Sequence, residues 1–304
     1  MEVDGDGARW SQDGGDVVWC ESAEELLAAV AAGNLKVEVG GGVKDGYTVV
    51  QAVIRTARQL QSLSLCGCNI DGIGLLQIGQ ALASSHIQGV GVSNNPGIDM
   101  ETWASFWGLL PPSVVKWDFG DDELPDSALQ PLVHAMGRGE VHELFLDGNG
   151  LTDIAPLLPL LPAARGLTEL DVGDNDIGDA QILALVAALP GSSLNTLVLG
   201  RNPVTDASAV PLAAVLPRTR ISILHLDCTR IGNATLDALV AVLASTELEE
   251  LHIDQTRVKD DGVLRFLRVL PASKLSILDA EDNNLSEETA AALAAALPGS
   301  ACME

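Results

Sequence analysis

The stretch that decides the fold reads LTELDVGDNDI and runs from Leu167 to Ile177. Its apolar residues Leu167, Leu170 and Val172 alternate with polar residues as in a short strand, and Asn175 follows at a turn. Consecutive copies of this template begin 27 residues apart, except for a single step of 26 residues into this copy. The eight other copies begin at Leu60, Ile87, Val114, Val141, Leu194, Ile221, Leu248 and Leu275.

The second half of each copy predicts a helix. Asn175 stands where a buried amide can satisfy backbone groups of the turn. Asp179 is placed to cap a helix, apolar residues recur at helical spacing from Ile182 to Leu189, and Pro190 then ends the helix. Each repeat is therefore predicted to be a strand, a turn, a helix and a second turn.

A fixed period of this length predicts a solenoid, in which each unit buries its apolar face only against its neighbours. Successive strands pair in parallel and the helices cover one face of the sheet. Because the helical layer is wider than the sheet, the stack is expected to bend into a horseshoe. The predicted fold class is therefore α/β, with a parallel concave sheet and convex helices.

Some copies depart from the template. The buried turn position holds Asp122, Thr229 or Thr256 in three copies, and the shorter threonine side chain predicts looser turns. The copy from Val141 contains three prolines, so its convex segment is expected to be a 3₁₀ or irregular turn. Those prolines are Pro156, Pro159 and Pro162.

The ends of the chain complete the predicted organisation. Residues 1–33 are expected to form an N-terminal cap, with a strand at 17–19 and a capping box from Ser22 to Glu25 that opens a helix ending near Ala32. Residues 34–304 are expected to form one domain of about ten repeats of 27 residues. Its first repeat is degenerate, with strand residues Val37 and Val39, a turn at Gly42 and a helix from Tyr47 to Gln59.

The last predicted helix runs from Glu287 to Leu297 and stops at Pro298-Gly299, with no capping strand after it. Three explanations stay open: the helix itself suffices as a cap, the last strand edge meets a partner, or the chain is truncated.

This pattern resembles the leucine-rich repeat family. The resemblance rests on Leu60-x-x-Leu63-x-Leu65-x-x-Cys68-x-Ile70, on Val141-x-x-Leu144-x-Leu146-x-x-Asn149-x-Leu151, and on the other copies, and it covers roughly residues 34–298. The repeat length and the helical second half resemble the ribonuclease-inhibitor-like subfamily, to which the Ran GTPase-activating proteins are also similar. The resemblance implies the fold directly. For function it implies only a surface for partners, because this fold hosts many unrelated activities.

Composition narrows the class of partner and the compartment. The formal net charge of −25 favours a basic protein partner and argues against nucleic acid or an anionic membrane. The first nine residues contain no apolar signal core, and no window is apolar enough to cross a bilayer. Five cysteines without framework spacing predict free thiols in a reducing compartment, so a cytoplasmic location is expected.

The candidate binding surface follows from the repeat. The residue between the second and third apolar positions points away from the core, and residues at equal offsets form rows on adjacent strands. From the third copy onward these rows carry several aspartates, and neighbouring glutamates add to them, so the C-terminal two thirds of the face is acidic. This predicts a groove that attracts a basic protein surface; the alternative is a solvated acidic face without a partner. The candidate contact residues are Asp118, Glu143, Phe145, Asp147, Glu169, Asp171, Val198, His225, Asp227, Glu250, His252, Asp254, Asp279 and Glu281.

Within this surface, Phe145 is predicted to be an exposed aromatic anchor that Val198 extends, although single exposed apolar residues are also common. His225 and His252 stand on neighbouring strands beside Asp227 and Asp254. These four could bind a divalent metal or sense pH, but sheet spacing alone does not give tetrahedral geometry, so no metal and no cofactor are predicted.

Two observations complete the functional prediction. Trp103, Phe106 and Trp107 share one helix face, and Trp117 has a strand core position, which indicates packing rather than binding. The chain has neither a glycine-rich phosphate loop with its lysine nor a nucleophile elbow, so no catalysis is predicted. The predicted function is a non-catalytic protein-binding module for a basic partner. The alternative is a regulator of an enzyme, either a GTPase activator or an inhibitor of the ribonuclease-inhibitor-like class.

Overall fold

A computed structural model describes residues 17–40, 43, 45–162 and 166–296. The chain divides into two compact units, residues 1–149 and 150–304. In both units strands and helices alternate along the described chain, and neighbouring strands pair in parallel in chain order. This is the alternation that the repeat predicts. Met1 to Arg9, Gly42 and Pro298-Gly299, on which parts of the sequence analysis rest, lie outside the described residues.

The first unit contains the six strands β1 to β6 and the five helices α1 to α5 within its described residues. A 3₁₀ turn at Asp126–Ala128 precedes its last helix. In chain order the elements are β1 (Val18–Cys20), α1 (Ala23–Ala31), β2 (Lys36–Val39), α2 (Gly46–Thr56), β3 (Ser62–Cys66), α3 (Gly72–Leu82), β4 (Gly89–Ser93), α4 (Met100–Leu109), β5 (Lys116–Asp118), α5 (Leu129–Met136) and β6 (Glu143–Phe145).

The second unit begins with a 3₁₀ helix, Ala155–Leu160, in the proline-containing copy. The prediction of a 3₁₀ segment is therefore confirmed, because Pro156 and Pro159 cannot donate the backbone hydrogen bonds of an α-helix. The remaining elements are β7 (Glu169–Asp171), α6 (Asp179–Ala188), β8 (Thr196–Val198), α7 (Asp206–Val215), β9 (Ile223–His225), α8 (Asn233–Val242), β10 (Glu250–His252), α9 (Asp260–Leu267), β11 (Ile277–Asp279) and α10 (Glu287–Ala296).

The N-terminal elements match their prediction. Ser22 caps α1 by accepting a hydrogen bond from the Glu25 amide at 3.2 Å, and the Glu25 carboxylate accepts one from the Glu21 amide at 2.7 Å. β1 pairs in parallel with β2, so the cap strand continues the sheet of the first unit. The helix of the degenerate copy, α2, ends at Thr56, three residues before the predicted end.

Aliphatic side chains at the template positions fill the core, and one aromatic cluster joins them in the first unit. Trp103, Phe106, Trp107 and Phe119 are fully buried, and the rings of Trp103 and Trp107 stack at 5.6 Å. Trp117 is also buried, so the prediction that these residues pack in the core is confirmed.

A ladder of buried side chains joins successive turns. Asn202 shows the pattern: its Oδ1 accepts from the Ile177 amide at 2.9 Å, and its Nδ2 donates to carbonyls that include that of Val172 at 2.9 Å. The two hydrogen-bonding atoms of the amide therefore link one repeat to the repeat before it. Asn95, Asn149, Asn175 and Asn283 occupy the same position.

Side chains also cap the helix N-termini, but differently in the two units. In the first unit Asp45, Asp71 and Asp99 each cap the helix that follows them. In the second unit the Asp179 carboxylate accepts from the amide and hydroxyl of Thr205, at the start of the next helix. The expectation that Asp179 caps its own helix is therefore wrong, because its carboxylate reaches the orphan N–H groups of the following repeat.

Candidate functional site

The pairing of β7 to β11 brings the predicted row together in the second unit. Asp171 is in register with Val198, Val198 with His225, His225 with His252, and His252 with Asp279. The backbone continues to pair beyond the strands, because the Cys228 amide donates to the Asp254 carbonyl and the Gln255 amide to the Glu281 carbonyl. Asp227, Asp254 and Glu281 therefore form a second row beside the first.

Most carboxylates of these rows keep partly accessible side chains. Glu169 and Glu250, which precede the first row by two residues on the same strand face, are also partly accessible. We call these carboxylates together the acidic strand face, which consists of Glu169, Asp227, Glu250, Asp254, Asp279 and Glu281. Asp171 shares the row but is only 4% exposed, and its Oδ1 accepts from the Gly173 amide at 2.8 Å. Asp171 therefore supports the local turn and offers little accessible surface.

Burial and neighbouring charges shift the pKa values of two carboxylates on the acidic strand face. Burial raises the pKa of Asp254 to about 6, and the charges of Asp227 and Asp279 add to the increase. Burial also raises the pKa of Asp227, although the charges of Arg201 and His252 oppose the shift. Like charges on adjacent strands repel, so this face carries an electrostatic cost that a bound cationic group would offset.

His225 and His252 contact each other and lie beside carboxylates. Their rings stack with centroids 4.0 Å apart and planes 7° apart. His252 Nε2 lies 2.7 Å from Glu250 Oε1, and its Nδ1 lies 3.7 Å from Asp279 Oδ2. His225 Nδ1 lies 3.8 Å from Asp227 Oδ1. Each imidazole therefore has a carboxylate beside it, and one ligand atom from each of His225, Glu250 and His252 falls within a common span of 4.8 Å.

In the first unit the predicted contact residues are largely buried. Phe145 is 3% exposed and Asp118 is 4% exposed, so the expectation of an exposed aromatic anchor is wrong. Asp147 is 9% exposed and lies against Gly120, where a Cβ would fall 2.9 Å from its Oδ1. Side chains on neighbouring strands cover one another here. Alternation along a single strand predicts that they point outward, but it does not predict this mutual burial.

Lys116 is the residue that sequence reasoning missed on this surface. Its Nζ lies 3.0 Å from Glu143 Oε2 and 5.2 Å from the centroid of the Phe145 ring, and its side chain is 5% exposed. The signal was present in the sequence, because Lys116 and Glu143 stand 27 residues apart at one offset of the repeat. The pair neutralises a carboxylate that the sequence analysis had assigned to the acidic groove.

Within the described ranges none of the helices combines the length and apolar character that crossing a bilayer requires.

Comparison with known proteins identifies the repeat. A family model described as Leucine Rich repeat matches residues 165–185. Comparison with curated proteins gave no match. An internalin (inlF) from Listeria monocytogenes is similar in structure, with a TM-score of 0.52, 18% identity, and coverage of 88% of this chain and 72% of that one. The yeast Rad7 and Elc1 complex contains a chain that is similar with a TM-score of 0.51 and 16% identity, covering 84% of this chain and 76% of that one.

The spacing of the apolar positions, the ladder of buried amides, the parallel strands alternating with helices and the family match agree with one another. The chain therefore has the α/β solenoid fold of leucine-rich repeats.

Proposed function

We propose that this chain is a non-catalytic protein-binding module, and that its acidic strand face binds a basic surface of a protein partner. The observation that carries the proposal is the set of carboxylates that paired strands bring side by side. At Asp254 burial, together with the charges of Asp227 and Asp279, raises the pKa to about 6. Cationic side chains of a partner would remove that repulsion in the bound state. They would also be steered to the face by its potential before contact.

The centre of the proposed contact is less polar than its surroundings. Val198 and the imidazole of His225 are neighbours in register and both are half-buried, which gives a partner a surface to pack against. Carboxylates lie on either side of this centre along the sheet. This arrangement suits an interface with a packed middle and a charged rim. Phe145 is not included in the proposed contact because its ring is buried.

The comparisons support a binding role at the level of the fold. One of the similar solved structures is a complex of two proteins, Rad7 and Elc1. Solenoids present residues from successive repeats on one extended surface, which suits recognition of another macromolecule.

We also propose a reducing, cytoplasmic location. Cys20, Cys68 and Cys228 are free thiols, and burial raises the pKa of Cys68 to about 12. Cys68 occupies the ladder position, where its Sγ lies 3.1 Å from the Val39 carbonyl oxygen and acts as a buried donor. Free thiols with such structural roles persist where disulfides are not formed.

The test is charge reversal on the face with a matched control elsewhere. The face variant carries Asp254→Lys and Asp279→Lys. The control carries Glu247→Lys and Glu288→Lys, which make the same change in net charge at exposed positions outside the strands. Proteins captured by the wild-type chain are identified, purified and titrated against all three forms at several salt concentrations.

We expect a basic partner that binds the wild type and the control with similar affinity. Its affinity should fall steeply as the salt concentration rises, and it should be at least about tenfold lower for the face variant. A purified partner that binds the face variant as well as the wild type would refute the proposal. If the partner is an enzyme, its activity with and without this chain distinguishes a regulator from a scaffold.

A further inference from the structure

Two imidazoles and one carboxylate converge on β9 and β10. His225 and His252 are paired in register, and Glu250 precedes His252 by two residues on the same face of its strand. The rings stack at 4.0 Å, and the carboxylate oxygen of Glu250 lies 2.7 Å from Nε2 of His252. Two nitrogen ligands and one oxygen ligand therefore meet at one point of the sheet, with all three atoms within 4.8 Å of one another.

The Nδ1 atom of each imidazole ring also lies near a carboxylate. Asp279 lies 3.7 Å from Nδ1 of His252, and Asp227 lies 3.8 Å from Nδ1 of His225. In the metal-free arrangement Glu250, 2.7 Å from Nε2, holds a proton of His252 at that nitrogen. An ion at Nε2 would displace that proton, and Asp279 beside Nδ1 then favours the tautomer protonated at Nδ1. Metal-binding histidines generally donate their second N–H to such a carboxylate or to a carbonyl, which orients the ring.

We propose that His225, Glu250 and His252 bind one Zn²⁺ ion, and that the fourth ligand is water or a side chain of a bound protein. The ligand set favours zinc over calcium or magnesium, because two of the three donors are imidazole nitrogens. This assignment revises the prediction of no metal, which considered the histidines with Asp227 and Asp254 but not with Glu250.

The distances between the ligand atoms suit a tetrahedral site, whereas the ring orientation must change. The stacked planes are only 7° apart, so one imidazole must turn about its Cβ–Cγ bond before one ion lies in the plane of both rings. In a tetrahedral site with metal–ligand bonds of about 2.0 Å, neighbouring ligand atoms are about 3.3 Å apart. That value lies between the 2.7 Å contact of Glu250 with His252 and the 4.8 Å span of the three atoms. Strand pairing already fixes the backbone spacing. The nearby carboxylates of Asp254 and Asp279 add an electrostatic attraction for a divalent cation.

The test uses the full chain, stripped with a chelator and dialysed, then titrated with Zn²⁺ by calorimetry and with Co²⁺ by absorption spectroscopy. We expect one ion per chain and cobalt bands of tetrahedral intensity. His225→Ala, His252→Ala and Glu250→Gln should each weaken zinc binding by about 100-fold or more, and Asp279→Asn by about tenfold. His142→Ala is the matched control, because it removes an exposed imidazole 4.0 Å from Glu140 and should leave the affinity unchanged.

Circular dichroism of each metal-free variant checks that it is folded, and His252→Gln replaces His252→Ala if that variant is not. Zinc binding that survives in both histidine variants would assign the ion to the carboxylates and overturn the proposal. Absence of stoichiometric binding to the wild type would overturn it as well. Neither result depends on the partner-binding proposal, which is tested without added metal.

Discussion

Replacing Asp122 with asparagine is expected to stabilise the protein. Asp122 occupies a ladder position and is 2% exposed. Its Oδ1 accepts from the Asn95 amide at 2.8 Å, whereas within the described residues its Oδ2 has no hydrogen-bond partner. At the next ladder position Asn149 Nδ2 instead donates to the Phe119 carbonyl at 2.8 Å. The substitution places an amide N–H₂ where a carboxylate oxygen is buried without a donor.

The magnitude follows from that unsatisfied atom. A buried polar group without a partner costs about 1–3 kcal/mol, and more when it is charged. Burial raises the pKa of Asp122 well above its ordinary value, and the charges of Asp118, Asp121 and Asp147 add to the increase. We therefore expect Asp122→Asn to increase the free energy of unfolding at pH 7 by about 1–3 kcal/mol.

The same pKa shift gives the direction of the pH dependence. Because the folded-state pKa of Asp122 lies above the unfolded value of about 3.9, its contribution to stability is fully present below that pH. The contribution is lost as pH rises through the folded-state pKa. The difference in stability between Asp122→Asn and the wild type should therefore be small near pH 3 and should grow toward neutral pH.

Urea denaturation followed by tryptophan fluorescence measures this difference at several pH values, with the slope of the transition compared between variants. Asp121→Asn is the control, because it removes the same charge from the adjacent, exposed position, which lies outside the ladder. The reasoning fails if Asp122→Asn is no more stable than Asp121→Asn at pH 7, or if its advantage is the same at every pH.

Four further substitutions test other parts of the fold by the same denaturation assay. Gly46→Ala should destabilise the protein by about 1–3 kcal/mol, because a Cβ there would overlap a backbone carbonyl. Gly108→Ala has open space in α4 and should be neutral or stabilising by up to about 1 kcal/mol. Equal effects of the two substitutions would contradict the steric argument. Asp206→Ala removes three hydrogen bonds to the start of α8 and should cost about 0.5–2 kcal/mol. Asn202→Ala removes four ladder hydrogen bonds and should cost about 2–4 kcal/mol. We therefore expect the ladder residue to contribute more to stability than the capping residue, and a smaller loss for Asn202→Ala than for Asp206→Ala would contradict this.

The parts of the fold that could be predicted from the sequence are those that the repeat period determines. A period of 27 residues places Leu170 beside Leu197 and His225 beside His252, and both pairs are in register. Strand pairing follows from equal offsets, because a shift of one residue would turn the apolar positions away from the core. The proline-containing 3₁₀ segment was predictable for a local reason, since proline lacks the amide that an α-helix uses.

The exposure of individual side chains could not be predicted in this way. Phe145 occupies an outward strand position, yet Lys116 covers its ring from the neighbouring strand and pairs with Glu143. Glu250 likewise turns toward His252 on its own strand rather than toward solvent. The repeat period determines on which face of the sheet each Cβ lies. The direction of a long side chain beyond its Cβ depends on the charged groups and rings beside it. Pairing residues across strands before judging exposure would have identified Lys116.

Part of the net charge of −25 comes from aspartates with a structural role, so the net charge alone does not indicate function. Asp179, Asp206 and Asp260 recur at the repeat period, and each carboxylate accepts hydrogen bonds from the start of the next helix. In the first unit Asp122 is part of the ladder. These aspartates are present because a solenoid must satisfy backbone groups between repeats, and they would be needed with no partner at all. Only carboxylates that lie together on the strands and keep accessible side chains argue for a basic ligand. The case for a partner therefore depends on the accessible carboxylates of the acidic strand face and not on the charge of the whole chain.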